Sequence, residues 1–383
     1  MTRRRPATVT TAASPDKDPA YRSVTPPLWT SDTFEWPDAD AKPDYDYSRT
    51  VSPNRDMLAD VLAELEGAAG GAITNSGQAA ALLALLLLPT GAHVVAPHDC
   101  YGGTFRLIRG FEDKGRLTAD FVDMRDDTAF AGALAREPAL VWIETPSNPL
   151  LRLTDIAVRT KQAHGAGALV LADNTLPTPC RQRPLALGCD LVLHSTTKAL
   201  NGHGDLFGGA LLATSPELVE QIAWWGNAAG LFGSAHDSWQ TLRGLRTLPL
   251  RVDRQEASAR AIAAALQDEP EVLEVHYPGL EGHPDFDLAA RQQSGPGFMI
   301  AFRLRGGAEA AERFLTGLSL VTLASSLGGF ATLICKPSTM THRGMPPEAH
   351  AEAGLHPDLL RLSVGLEDQD DLIADLGRGF AAI

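Results

Sequence analysis

Lys198 follows a short apolar run, Asp190 to His194, and a hydroxyl cluster, Ser195-Thr196-Thr197, and precedes the glycine-rich stretch ALNGHGDLFGG. A lysine at the mouth of a buried strand loses its charge readily once water is stripped from it, which makes it an imine-forming nucleophile. Asp173 lies 25 residues earlier, in Asp173-Asn174-Thr175 at the end of a second apolar run, Ala168 to Ala172. That run does not alternate polar with apolar residues, the pattern of a strand buried on both faces of a parallel sheet. The carboxyl ends of such strands are where open α/β sheets bind ligands. Each residue alone has an ordinary reading, a surface lysine and a capping aspartate. Together they are the two groups that pyridoxal 5′-phosphate requires, an amine for the Schiff base and a carboxylate that keeps the pyridine nitrogen protonated so that the ring can draw off electrons.

The surrounding pattern supplies the elements that must position this pair. Strands are expected at Ala72–Thr74, His93–Ala96, Ala119–Val122, Leu140–Ile143, Ala168–Ala172, Asp190–His194 and Phe207–Leu212, with helices between them. Arg55 to Glu66 carries Leu58, Val61, Leu62 and Leu65 at helical spacing and stops at Gly67. Asn75-Ser76-Gly77-Gln78 opens a second, apolar helix, and a strand, a glycine turn and a helix N-terminus in sequence form an anion site. Ser238 to Ala264 reads as one long helix. Beyond it, strands at Val272–His276, Phe298–Leu304, Leu320–Leu323 and Leu359–Val364 alternate with helices. The fold class is α/β, a seven-stranded mostly parallel sheet in an αβα sandwich with a smaller C-terminal α+β domain. Residues 1–54 read as a tail and an arm, 55–247 as the larger domain and 248–383 as the smaller one.

Composition narrows the function classes. The 383 residues are 44% hydrophobic and 21% charged, as in a globular protein. A net charge of −14 argues against nucleic acid or an anionic membrane as partner. Cys100, Cys180, Cys189 and Cys335 are scattered, which indicates neither a disulfide framework nor a zinc site and fits a reducing cytoplasm. His203 and His342 lack metal-ligand spacing, so no metal is expected. The longest apolar run, Ala79 to Leu88, has ten residues, too few to span a bilayer. Met1 to Pro15 lacks the apolar core of a signal peptide and is expected to be a disordered tail.

The motifs carry a resemblance. DNT followed by HSTTKALNGHGD, with APHDCYGGT, ETPSNPLLR, AWWGN, LRGLRTL, SLGG, TMTH and LLRLSVGLED in order, resembles the Cys/Met-metabolism family of pyridoxal-phosphate enzymes from about Tyr45 to Phe380. Within that family the likeness is strongest to the bacterial cystathionine γ-synthases. The resemblance implies the aspartate-aminotransferase-like fold, fold type I, and roles for individual residues. Ser76, Gly77 and Gln78 are implied to cradle the cofactor phosphate, with Ser195 and Thr197 completing the shell. Tyr101 is implied to stack on the pyridine ring, Asn148 to contact the phenolic oxygen, Asp173 to keep the pyridine nitrogen protonated and Thr175 to bind the cofactor. Lys198 is implied as Schiff-base former and proton carrier, steadied by Ser326. Arg361 is implied to hold the substrate α-carboxylate, Arg106 to line the entrance for a distal carboxylate, and Asn227 to line the substrate site. Tyr47 and Arg49 are implied to reach the cofactor phosphate of a neighbouring subunit, so that a homo-oligomer, a dimer of dimers, shares its active sites.

The implied reaction is γ-replacement on an O-acylated homoserine, O-succinyl-L-homoserine with L-cysteine giving cystathionine and succinate in methionine biosynthesis. Two positions depart from the family pattern: Thr50 stands where a second arginine is usual, and Ser325 where a glutamate is usual. VSPN likewise replaces a version of GNPT. A γ-lyase, or γ-replacement with another thiol or leaving group, therefore stays open as the alternative.

Overall fold

Alternate residues of the central strands fall into two separate hydrophobic cores. Val141 and Ile143, Val170 and Ala172, and Val192 lie in one, while Leu140 and Trp142, Leu171, and Leu191 and Leu193 lie in the other. A sheet with both faces covered needs apolar side chains at every position, which is why these runs do not alternate. The computed structural model describes residues 4–12, 18 and 20–383. Its larger sheet comprises β1 (Gly70–Thr74), β2 (Ala92–Pro97), β3 (Leu117–Val122), β4 (Leu140–Glu144), β5 (Leu169–Asp173), β6 (Leu191–His194) and β7 (Gly209–Ala213). The spatial order is β1-β7-β6-β5-β4-β2-β3, and only β7 runs against its neighbours. All seven expected strands are present in the expected mostly parallel sheet.

A second sheet of five strands, β8 (Val272–His276), β9 (Met299–Leu304), β10 (Thr322–Leu323), β11 (Leu333–Cys335) and β12 (Leu359–Ser363), has the order β10-β11-β12-β9-β8. β11, only three residues long, is not among the strands expected of the sequence. β10 is shorter than the expected strand, because the Asp375 carboxylate accepts the backbone N–H groups of Ser319, Leu320 and Val321 at 2.8–3.0 Å and so withdraws them from the ladder.

The helix expected over Ser238 to Ala264 is two helices, Ala235–Leu245 and Leu248–Asp268. Pro249 is the cause: it offers no N–H and its ring clashes with the carbonyl of the preceding turn, so it is tolerated only where a new helix begins. Arg251 bridges the break, its Nη2 donating to the Gly244 carbonyl and its Nη1 to the Ala199 carbonyl, each at 2.8 Å. The second of these helices joins the domains, with Leu248 and Val252 in the first core and Ala259, Ile262 and Leu266 in the core of the smaller sheet.

The N-terminal tail also differs from expectation where it is described. α1 (Pro6–Thr11) packs on α2 (Pro53–Glu66), with Val9 2% exposed inside the first core and Arg4 bonded to Glu64. PATVTT has no helical periodicity, so this helix owes its form to the surface it covers. The rest of the expected tail lies outside the described residues. Val9→Ala removes two buried methyl groups and is expected to cost about 1–3 kcal/mol; a thermal midpoint equal to that of the parent protein would show α1 to be dispensable.

Candidate active site

Glu144, Asp173 and Ser195 continue the same face as Trp142, Leu171 and Leu193, so β4, β5 and β6 deliver polar groups to one point at their carboxyl ends. That face is covered by α3 (Gly77–Leu86) and α4 (Gly102–Asp113). A cavity of about 1050 Å³ lies there, closed on the far side by residues of the smaller domain. Ser76, Gly77, Gln78, Tyr101, Asn148, Asp173, Thr175, Ser195, Thr197, Lys198, Ser326 and Arg361 all line it.

Lys198 Nζ donates to Ser326 Oγ at 2.9 Å, a contact that spans the two domains. Burial, aided by the nearby Arg361 guanidinium, lowers the Lys198 pKa to about 8. Ser326 has φ +91°, a strained value for a residue with a side chain. Its neighbour Gly328, at φ +72°, runs so close to the lysine loop that a Cβ there would come within 2.8 Å of the Ala199 nitrogen. Arg361, at 2% exposure on β12, donates from Nη1 to Asn148 Oδ1 and from Nη2 to the Ser326 carbonyl, each at 2.8 Å. Its Nε has no partner among the described residues. A buried guanidinium bonded only to neutral oxygens is a receptor for a carboxylate.

The opposite end of the cavity suits a phosphate. Ser76 caps α3, its Oγ accepting the Ala79 N–H at 3.1 Å, and the first turn presses on the end of β6 so closely that a Cβ on Gly77 would meet Ser195 Cβ at 2.8 Å. The backbone N–H groups that open a ten-residue helix thus meet the Ser195 side chain, and Thr197 lines the same cavity with its Oγ1 donating to the Gly208 carbonyl at 3.2 Å and accepting the Gly208 N–H at 3.0 Å. Thr175 fixes the middle: its N–H donates to Asp173 Oδ1 at 3.0 Å, and its Oγ1 accepts the Ser195 N–H at 2.9 Å. Burial pushes the Asp173 pKa up, opposed by the Thr175 bonds and His194, so a cation beside it is favoured. An amine, an anion cradle and a carboxylate around one enclosed space fit pyridoxal 5′-phosphate.

Four candidates lie outside the cavity lining. Tyr47 is 44% exposed, and Arg49 Nη1 donates to Asn227 Oδ1 at 2.6 Å and to the Asn227 carbonyl at 3.1 Å. Arg106 is exposed on α4, where a Cβ on Gly344 would meet its Cδ at 3.0 Å. Of the two departures, Ser325 lines the cavity and Thr50 does not. Sequence reasoning gave no role to Glu144, although an acidic residue ending the apolar run next to that of Asp173 was the available clue.

An αβα sandwich with this constellation at its strand ends defines a pyridoxal-phosphate enzyme. The family model described as Cys/Met metabolism PLP-dependent enzyme matches residues 7–381, and the chain belongs to that family. It is 47% identical over 383 residues to the cystathionine gamma-synthase of Escherichia coli (strain K12), covering 100% of this chain and 99% of that one. It is 39% identical over 361 residues to the cystathionine gamma-lyase of Bacillus subtilis (strain 168), covering 94% and 95%. Among solved structures, cystathionine gamma synthase from Xanthomonas oryzae pv. oryzae in complex with cystathionine superposes with a TM-score of 0.97 at 47% identity, covering 99% of this chain and 100% of that one.

The lowered lysine pKa has a measurable sign. Below about 8 the Lys198 amine is protonated and cannot attack an aldehyde; above it the amine is free. Reconstitution of cofactor-free protein with pyridoxal 5′-phosphate is therefore expected to slow by about tenfold for each pH unit below that value and to level off above it. A rate that keeps climbing to pH 10 would mean an ordinary lysine.

Proposed function

We propose that the protein catalyses γ-replacement on an O-acylated L-homoserine, converting O-succinyl-L-homoserine and L-cysteine to cystathionine and succinate. The observation that carries this is the cavity itself, in which a nucleophilic lysine and a buried arginine, both held by Ser326, stand side by side next to space for an amino acid. Pyridoxal 5′-phosphate, when bound, supplies the electron sink that makes protons on Cα and Cβ removable.

The chain's own residues do the rest. Arg361 takes the α-carboxylate in its fork and so orients the substrate. Lys198 carries the cofactor at rest, then acts as general base at Cα and Cβ, with the Ser326 hydroxyl holding the amine in place. Loss of the Cβ proton lets the Cγ–O bond break with release of the acid, and the cysteine thiol then forms the Cγ–S bond as the proton returns. Tyr101 would cover the ring, Asn148 would meet its phenolic oxygen, Asp173 would hold its nitrogen, and Ser76, Gly77, Gln78, Ser195 and Thr197 would hold its phosphate.

Tyr47 and Arg49 serve the phosphate of a neighbouring subunit, in a dimer of dimers; their position outside their own chain's cavity supports this, as do the exposed Phe207 and Trp224, at 72% and 62%. Four free cysteines support a reducing cytoplasm. No helix among the described residues is long and apolar enough to cross a membrane.

Purified protein is expected to form cystathionine from O-succinyl-L-homoserine only when L-cysteine is present. Release of an oxo acid and ammonia at equal rate without cysteine would move the chain to γ-elimination, a reading that the uncharged Ser325 in the cavity favours. Mixed Arg49→Ala and Lys198→Ala chains, each inactive alone, are expected to regain activity in hybrids, which contain one site with both residues intact; verified hybrids without activity would confine Arg49 to its own subunit.

A further inference from the structure

Glu144 has no part in the reaction drawn above, yet it is the last residue of β4, in register with Asp173 on β5, and it lines the same cavity. It is 4% exposed. Its Oε2 accepts the backbone N–H of Tyr101 at 2.8 Å, and Glu144 itself stands at the start of the turn that carries Asn148. Tyr101 and Asn148 stand on different turns, one after β2 and one after β4. On the reading proposed above, which this inference rests on, they meet the cofactor at its ring face and its phenolic edge. A single side chain therefore ties together the two turns that hold the ring.

The charges around Glu144 decide the form in which it does so. Asp173 faces it from β5 and Asp99 from the turn after β2, with the Cys100 thiol beside them. Across the cavity Lys198 is held by Ser326, and Arg361 by Asn148 and the Ser326 carbonyl. Burial, with Asp173 adding to it, lifts the Glu144 carboxyl well above the usual carboxylate range. Two adjacent buried carboxyls favour sharing a single proton, and Glu144 gives up less by keeping it than Asp173, whose charged form is favoured by Thr175 and His194.

We propose that Glu144 is a positioning residue that works as a neutral acid, tying the Tyr101 and Asn148 turns together while leaving the negative charge on Asp173 for the cofactor ring. Infrared spectra of the holoenzyme are expected to show a carboxylic-acid carbonyl band that Glu144→Gln removes. Because an amide oxygen accepts as a neutral carboxyl does, Glu144→Gln is expected to stay within about threefold of the parent in kcat/KM and to keep the visible circular dichroism of the bound cofactor. Glu144→Leu removes the acceptor and is expected to lose about tenfold or more, mostly in kcat, and to weaken that dichroism. The proposal is overturned if Glu144→Gln is as impaired as Glu144→Leu, if Glu144→Leu matches the parent, or if the band is missing from the parent or survives in Glu144→Gln. Should Glu144→Leu fail to fold, the band and the Glu144→Gln kinetics decide. A parent enzyme that shows the band and the dichroism but performs no γ-replacement would overturn the proposed reaction and leave the role of Glu144 standing.

Discussion

Arg361 is a buried cation with no carboxylate bonded to it among the described residues, and much of the site depends on that. Two neutral oxygens, of Asn148 and Ser326, satisfy its hydrogen bonds without cancelling its charge. The uncancelled charge has two effects. It creates demand for a ligand carboxylate, and it adds to the desolvation that strips the proton from Lys198. Substrate recognition and nucleophile activation are thus coupled through one guanidinium. The arrangement is tolerable only because the domains are clamped together, since Arg361 comes from β12 and Lys198 follows β6. The helix Leu248–Asp268 does the clamping from within. Its Arg251 grips the lysine loop through the Ala199 carbonyl, and its Gln255 Nε2 donates to the carbonyls of Gly329 at 2.8 Å and Val364 at 3.0 Å, on either side of the arginine strand.

What the sequence made legible follows from which forces are local. Unbroken apolar runs announce doubly covered strands, so β4, β5 and β6 and the residues at their ends, Asp173 and Ser195, were readable one by one. The pairing of Lys198 with Asp173 was readable because parallel order fixes which end of each strand meets the ligand. The break at Arg246-Thr247 was also written locally, in Pro249, and was missed by giving periodicity precedence over a helix breaker. Other features are set by tertiary contact. α1 exists because Val9 finds a pocket, β11 is a three-residue strand held by its neighbours, and β10 is short because Asp375, 52 residues beyond Leu323, takes its backbone donors. The resemblance placed Ser326 beside the lysine, but neither its left-handed backbone nor the approach of Gly328 to Ala199 is a local property. Glu144 was obscured for a related reason: in a strand apolar on both faces, alternation does not reveal which side a terminal acid takes.

The balance of charge at the phosphate end is not closed by this chain's own cavity residues. The cradle offers amides from the first turn of α3 and the hydroxyl of Ser195, with Thr197 bonded to Gly208 beside them, all of them neutral. The basic residues that line the cavity are Lys198 and Arg361, and both are engaged with Ser326 at the substrate end. A helix N-terminus attracts a phosphate but contributes only about half a charge. A dianion seated there keeps most of its charge unless a guanidinium arrives from outside. Arg49 is such a group, held on an irregular segment by Asn227 at the end of the helix Pro216–Ala228 and next to the exposed Tyr47. Its present partner is a neutral amide, an exchange that favours a phosphate. The role proposed for the arm at a second copy's site would, on this balance of charge, make cofactor retention depend on assembly.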